Sequence, residues 1–140
     1  MAKNLICLLV DDDEDDREIF EIALKDTGAP FDYLAESNAE DALQKLKNEE
    51  TFIPDFIFLD LNMPIMNGKQ CLREIKEIPR LRAVPVIIYT TSSYIKDIEE
   101  TKQLGASHFF TKPSSTGALT KILSALFQNE TLPFSLSHGN

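Results

Sequence analysis

The chain has 140 residues, the length of one ordinary domain and too short for two. Its 14 Lys and Arg stand against 23 Asp and Glu, a net charge of -9, which argues against direct nucleic-acid binding. With 43% hydrophobic and 26% charged residues, the composition is that of a globular protein rather than a disordered or membrane chain.

The first apolar run, Leu5–Val10, reads as a buried strand and is too short for a signal-peptide core or a membrane span, so a cytoplasmic protein is expected. Glu14 to Thr27 has helical periodicity and stops at Gly28 and Pro30. Phe31 to Glu36 is a weaker strand. Asn38 to Glu49 is a second helix, with Ser37 three residues before Glu40 as a capping box. Pro54 to Leu59 is a third strand, followed by a helix from Asn67-Gly68 that ends before Pro79. Pro85 to Tyr89 is a fourth strand, and both prolines fit the first position of a strand, where the missing N–H costs little. A helix from about Tyr94 to Leu104, with Gly105 as its stop, leads to a marginal strand, Ser107 to Phe110. Leu119, Ile122, Leu123, Leu126 and Phe127 form one buried stripe of a last helix. The polar segment 129–140 is expected to fray, leaving 1–128 as the domain. Cys7 and Cys71 lie in apolar patterns and are read as small core residues with no disulfide.

Five βα units predict an α/β fold, a doubly wound five-stranded parallel sheet with helices on both faces. Ligands of such sheets bind at the carboxyl ends of the strands. Those ends carry Asp11-Asp12-Asp13 after strand one, Asp60 after strand three, Thr90-Thr91-Ser92 after strand four and Thr111-Lys112-Pro113 after strand five. Carboxylates converging from two strand ends repel one another unless a cation lies between them. Without a His/Cys cluster, Mg²⁺ is the natural choice. Asp11, Asp12 and Asp60 supply three negative charges, which Mg²⁺ and the Lys112 ammonium balance.

This pattern resembles the receiver domain of two-component response regulators over residues 5–128. The features that carry the resemblance are the acidic pair, Asp60 followed by Leu-Asn-Met-Pro and Asn-Gly, the hydroxyl of Thr90, and Lys112-Pro113. It implies the flavodoxin-like (βα)5 strand order 2-1-3-4-5 and a phosphorylation switch rather than an enzyme. Asp60 would accept a phosphoryl group from a sensor histidine kinase or histidine phosphotransfer protein. Asp12 would bind Mg²⁺ directly, Asp11 mainly through a metal-bound water, and Asn62 through its backbone carbonyl. Thr90 and Lys112 would meet phosphoryl oxygens, and the Lys112-Pro113 bond would be cis. Movement of Thr90 would let Phe109 turn inward, changing the face of helix 4, strand 5 and helix 5, which contacts a downstream target protein or a second copy in a homodimer. Phe109 stands where Tyr is often found and cannot donate a phenolic hydrogen bond. Thr91, larger than the residue common there, narrows the approach to Asp60. The 11–16 stretch and Thr90-Thr91-Ser92 resemble the single-domain regulators that work with phytochrome-type kinases.

Other readings compete with these. A haloacid dehalogenase-like phosphohydrolase wants Asp-x-Asp after the nucleophile's strand, but position 62 is Asn. A constitutive interaction module of the same fold without phosphorylation is the remaining alternative. Asp13, Glu14, Asp15 and Asp16 are read as solvated residues at a helix N-terminus, favoured by its dipole. His108 and His138 are read as surface histidines and Phe110 as a core or edge aromatic.

Overall fold

The computed structural model describes residues 4–136, so His138 and the end of the tail lie outside the described residues. Five parallel strands, β1 (Leu5–Val10), β2 (Phe31–Glu36), β3 (Phe56–Leu59), β4 (Val86–Thr90) and β5 (His108–Thr111), lie in the order 2-1-3-4-5. The helices are α1 (Glu14–Asp26), α2 (Ala39–Asn48), α3 (Gly68–Glu77), α4 (Ile95–Gln103) and α5 (Thr116–Phe127). Alternation along the strands divides the core in two. Leu8, Val10, Ile57, Leu59, Ile88 and Phe109 pack on the α2 and α3 side. Cys7, Leu9, Phe58, Ile87, Tyr89 and Phe110 pack under α1 and α5. Both faces of the sheet are thus covered, which is why the central strands read as continuous apolar runs. Both cysteines are free and buried, and burial pushes their thiols up to about 12.

Boundaries differ from the sequence reading in small ways with local causes. The cap of α2 is Asn38 rather than Ser37: its side chain accepts from the Asp41 N–H at 2.7 Å and donates to the Asp41 carboxylate at 3.0 Å. This closes the cap one residue later than the Ser37–Glu40 box. Pro54 and Pro85 lie just before their strands rather than within them, and the Pro85 carbonyl accepts from the Ile57 N–H at 3.0 Å. One 3₁₀ turn, Pro79–Leu81, joins α3 to β4. Among the described residues no peptide bond is cis, so Lys112-Pro113 is trans, contrary to expectation.

The largest difference is the tail, because residues 132–136 are ordered against the sheet. Phe109 donates to the Phe134 carbonyl and its own carbonyl accepts from Leu136, both at 2.8 Å, forming a parallel bridge on the free edge of β5. Leu136 is buried, Phe134 packs against the core, and the Lys102 ammonium sits 5.6 Å from its ring centroid. His108 is held in the same seam, with Nδ1 2.8 Å from the Pro133 carbonyl oxygen. An exposed edge strand presents unpaired N–H and C=O groups, and these few apolar residues satisfy one stretch of them. Phe134→Ala should lower stability by about 1–2 kcal/mol, less than the loss of a fully buried Phe. It should also strip hydrogen-exchange protection from the Phe109 and Leu136 amides. Unchanged melting and protection would contradict the tail's packing.

Candidate functional site

Strand register decides which side chains meet. Val10 of β1 lies opposite Leu59 of β3, so the next residues, Asp11 and Asp60, leave the sheet side by side. The Asp60 N–H donates to the Val10 carbonyl at 3.0 Å. On the other side Thr90 lies opposite Thr111, and the Lys112 N–H donates to the Thr90 carbonyl at 2.7 Å. The carboxyl ends of four strands thereby bring Asp11, Asp60, Thr90 and Lys112 to one locality, as expected from the sequence.

At its centre is an ammonium among carboxylates. Lys112 Nζ lies 2.6 Å from Asp16 Oδ2, 2.8 Å from Asp11 Oδ2 and 3.5 Å from Asp60 Oδ2. Its side chain is only 9% exposed and it sits 5.3 Å from the centroid of the Tyr89 ring. Burial alone would lower the Lys112 pKa, but contacts with Asp11 and Asp16 and the charge of Asp60 outweigh it and hold the ammonium above its ordinary value. Burial raises the Asp11 carboxyl to about 6 against the opposing pull of Lys112, so Asp11 takes up a proton as the pH falls through that value.

Asp11 Oδ2 is buried and has no hydrogen bond of good geometry among the described residues, although Lys112 lies within ion-pair range. Oxygens of Asp11, Asp12 and Asp60 all lie within 4.8 Å of one another, with Asp12 exposed to solvent. An all-oxygen donor set with one open face suits a hard divalent cation that keeps some of its waters. The residues present fit such an ion.

The remaining expected residues are placed as follows. The Asn62 N–H donates to Asp60 Oδ1 at 3.3 Å. Thr90 is fully buried and its hydroxyl oxygen accepts from the Ser92 N–H at 3.4 Å. Thr91 is exposed. Phe109 is already buried, 1% exposed, rather than waiting outside to turn inward. Lacking a phenolic hydroxyl, the ring has no polar tip to keep in water, and the tail closes over its strand.

Two features were missed in the sequence. Asp16, read as a solvated helix-end residue, makes the shortest contact to Lys112. The available signal was its place in the first turn of α1, which begins at Glu14 close behind the end of β1 at Val10. The second is a latch between α3 and α4: Lys69 Nζ lies 2.6 Å from Asp97 Oδ1 and 2.7 Å from Glu100 Oε2, and Ser92 donates to Asp97. Burial alone would raise the Asp97 carboxyl, but its bonds to Lys69 and Ser92 prevail and hold it low.

Asp60 is seated from below by Gly68. A Cβ there would overlap the Asp60 carbonyl oxygen and lie 2.7 Å from Leu61 Cα, and the Gly68 N–H donates to the Leu61 carbonyl at 3.0 Å. Between them the loop is strained, with exposed Ile65 at φ 70° in a region β-branched residues rarely adopt. Gly68→Ala should therefore destabilise the fold by about 1–3 kcal/mol and move the Asp60 backbone. An unchanged melting point with unchanged Asp60 amide shift would contradict this seating. Separately, Asp60→Asn should raise metal-free thermal stability by relieving carboxylate repulsion and shrink the stabilisation that Mg²⁺ gives. Identical Mg²⁺ responses in the two proteins would remove Asp60 from the cation site.

The chain is similar to several known proteins. The family model described as the response regulator receiver domain matches residues 7–124. Chemotaxis protein CheY-3 of Vibrio cholerae is 32% identical over 128 residues, covering 91% of this chain and 95% of that protein. The phosphorylated cyanobacterial phytochrome response regulator RcpA superposes with a TM-score of 0.82 at 27% identity, over 94% of this chain and 99% of that one. The Mn²⁺-bound form of response regulator Rcp1 gives a TM-score of 0.76 at 29% identity, over 93% and 98%.

Proposed function

The chain belongs to the response regulator receiver domain family of two-component systems, and on that premise we propose that it is a signalling switch phosphorylated on Asp60. The phosphoryl donor is a sensor histidine kinase or a histidine phosphotransfer protein, and the setting is cytoplasmic. The observation that carries this reading is the buried ammonium of Lys112 shared among carboxylates at the strand ends. Such a site has one positive charge ready for phosphoryl oxygens and a nucleophile beside it.

A carboxylate is a weak nucleophile, so the site's contribution lies in positioning and in neutralising charge. In the transfer, the phosphorus–nitrogen bond of the donor's phosphohistidine breaks and a phosphorus–oxygen bond to an Asp60 carboxylate oxygen forms. The leaving group departs with the electron pair. Asp12, Asp60 and the Asn62 carbonyl, with Asp11 mainly through a metal-bound water, would hold Mg²⁺, which would supply further positive charge at the phosphoryl oxygens. Asp60 gives up its own charge while the phosphoryl brings roughly -1.5 to -2. The site gains close to one negative charge, which Lys112 and the Thr90 hydroxyl absorb.

Signalling follows from where those two residues are attached. Thr90 ends β4 and Lys112 follows β5, and Ser92 ties the same loop to α4 through Asp97. Drawing Thr90 toward the phosphoryl shifts the β4–α4 loop against β5, whose Phe109 backbone is bonded to the tail. The α4–β5–α5 face, with residues 132–136 lying along its β5 edge, is the contact surface for a downstream target protein or a second copy. Exposed Tyr94 and Ile95 at the start of α4 give it apolar surface.

Incubation with acetyl phosphate and Mg²⁺ should add one phosphoryl mass to the intact protein, and Asp60→Asn should abolish the addition while keeping the fold. Thr90→Ala should still accept the phosphoryl yet lose the amide-exchange change on α4, β5 and α5. Equal phosphorylation of Asp60→Asn would refute the acceptor assignment. A full change of that face in Thr90→Ala would refute the coupling.

A further inference from the structure

The Lys112 ammonium is not centred on Asp60. Its shortest contact, at 2.6 Å, is a hydrogen bond to Asp16 Oδ2, whereas the bond to Asp60 Oδ2 is 3.5 Å long. Asp16 is held there by the start of α1. Its N–H donates to the side chain of the N-cap residue Asp13 at 3.0 Å, which fixes it in the first turn of the helix. Asp16 also stands outside the group of Asp11, Asp12 and Asp60 whose oxygens converge for a cation. A divalent ion among those carboxylates would neutralise Asp11 and Asp60, weakening their hold on Lys112. The hold of Asp16 would remain.

We propose that Asp16 is a positioning residue for phosphoryl transfer, whose carboxylate competes with Asp60 for the Lys112 ammonium and so slows phosphoryl uptake. The inference rests on the phosphoacceptor reading above. An incoming phosphoryl needs the ammonium at its own oxygens, and the bond to Asp16 must first lengthen. Asp16 also adds a negative charge near a group that arrives with roughly -1.5 to -2. Both effects act in one direction, against phosphorylation. The carboxylate is 27% exposed, so solvent softens them, and the competition is that of a partly screened ion pair. Asp16 touches neither donor nor phosphoryl; it acts through Lys112.

In the test, phosphoryl uptake from acetyl phosphate at saturating Mg²⁺ is followed by intact mass. The phosphorus–oxygen bond to acetate breaks, one to Asp60 forms, and acetate leaves with the electron pair. Asp16→Asn should take up the phosphoryl about two- to fivefold faster than wild type, the span supported by a partly exposed ion pair. Asp16→Ala should do likewise, and Asp16→Glu, which keeps the charge, should stay near the wild-type rate. In a Lys112→Ala background, followed over longer incubation, Asp16→Asn should lose most of its effect, because the two residues act as a unit. Mg²⁺ affinity is titrated in parallel. An uptake in Asp16→Asn no faster than wild type overturns the inference, as does an equal acceleration without Lys112 or one that tracks a change in Mg²⁺ affinity. A wild-type protein that takes up no phosphoryl overturns the phosphoacceptor reading and this inference with it, whereas a phosphorylated wild type with an unaccelerated Asp16→Asn overturns this inference alone.

Discussion

One buried ammonium holds the carboxyl end of the sheet together. Asp11 is fully buried and Asp60 nearly so, and two such carboxylates on neighbouring strands repel each other strongly in a medium that screens poorly. Lys112 reaches both from the end of β5 and bonds Asp16 on α1 as well. The geometry of the site therefore depends on a single positive charge that is outnumbered. An outnumbered ammonium is a poor way to maximise stability but a good way to leave a site in demand of more positive charge. That demand is what a divalent cation meets, and the same ammonium is what a phosphoryl group would claim.

The sheet makes this arrangement possible at low cost. Strand order 2-1-3-4-5 puts β1 and β3 side by side in the middle, so the acidic residues leave adjacent strands, while β4 and β5 carry Thr90 and Lys112 on the same rim. Helices on both faces keep the strands rigid and dry, and Gly68 lets α3 start directly under the Asp60 backbone. The β4–α4 loop is tied to α3 through the Ser92, Asp97 and Lys69 contacts, and the β5 edge is covered by a short tail that bonds directly to the backbone of Phe109.

Much of this was legible in the sequence because the relevant signals are local. Continuous apolar runs mark strands buried on both faces, Gly28 and Gly105 mark helix stops with positive φ, and the residues just past each strand end form the site in this fold class. Asp11, Asp12, Asp60, Thr90 and Lys112 were found that way. What escaped depends on contacts between distant segments. Asp16 looks like any acidic residue favoured by a helix dipole until the trajectory of α1 brings it to Lys112. The tail looks polar because Leu132, Phe134 and Leu136 alternate with residues that stay in water, a strand period too short to register without its partner β5. Phe109 was expected to need a trigger to enter the core, yet a ring with no hydroxyl and a covered edge is already inside.

The central claim is that Lys112 is a shared charge, held by Asp16 and Asp60 at rest and claimed by the phosphoryl group. The most direct measurement is a crystal structure of the full chain with Mg²⁺ and beryllofluoride, which mimics an acyl phosphate on Asp60. Lys112 Nζ should leave Asp16 and donate to a fluorine of the adduct, with the 2.6 Å contact lengthened beyond hydrogen-bond range. An adduct on Asp60 with Lys112 still bound to Asp16 would contradict that claim.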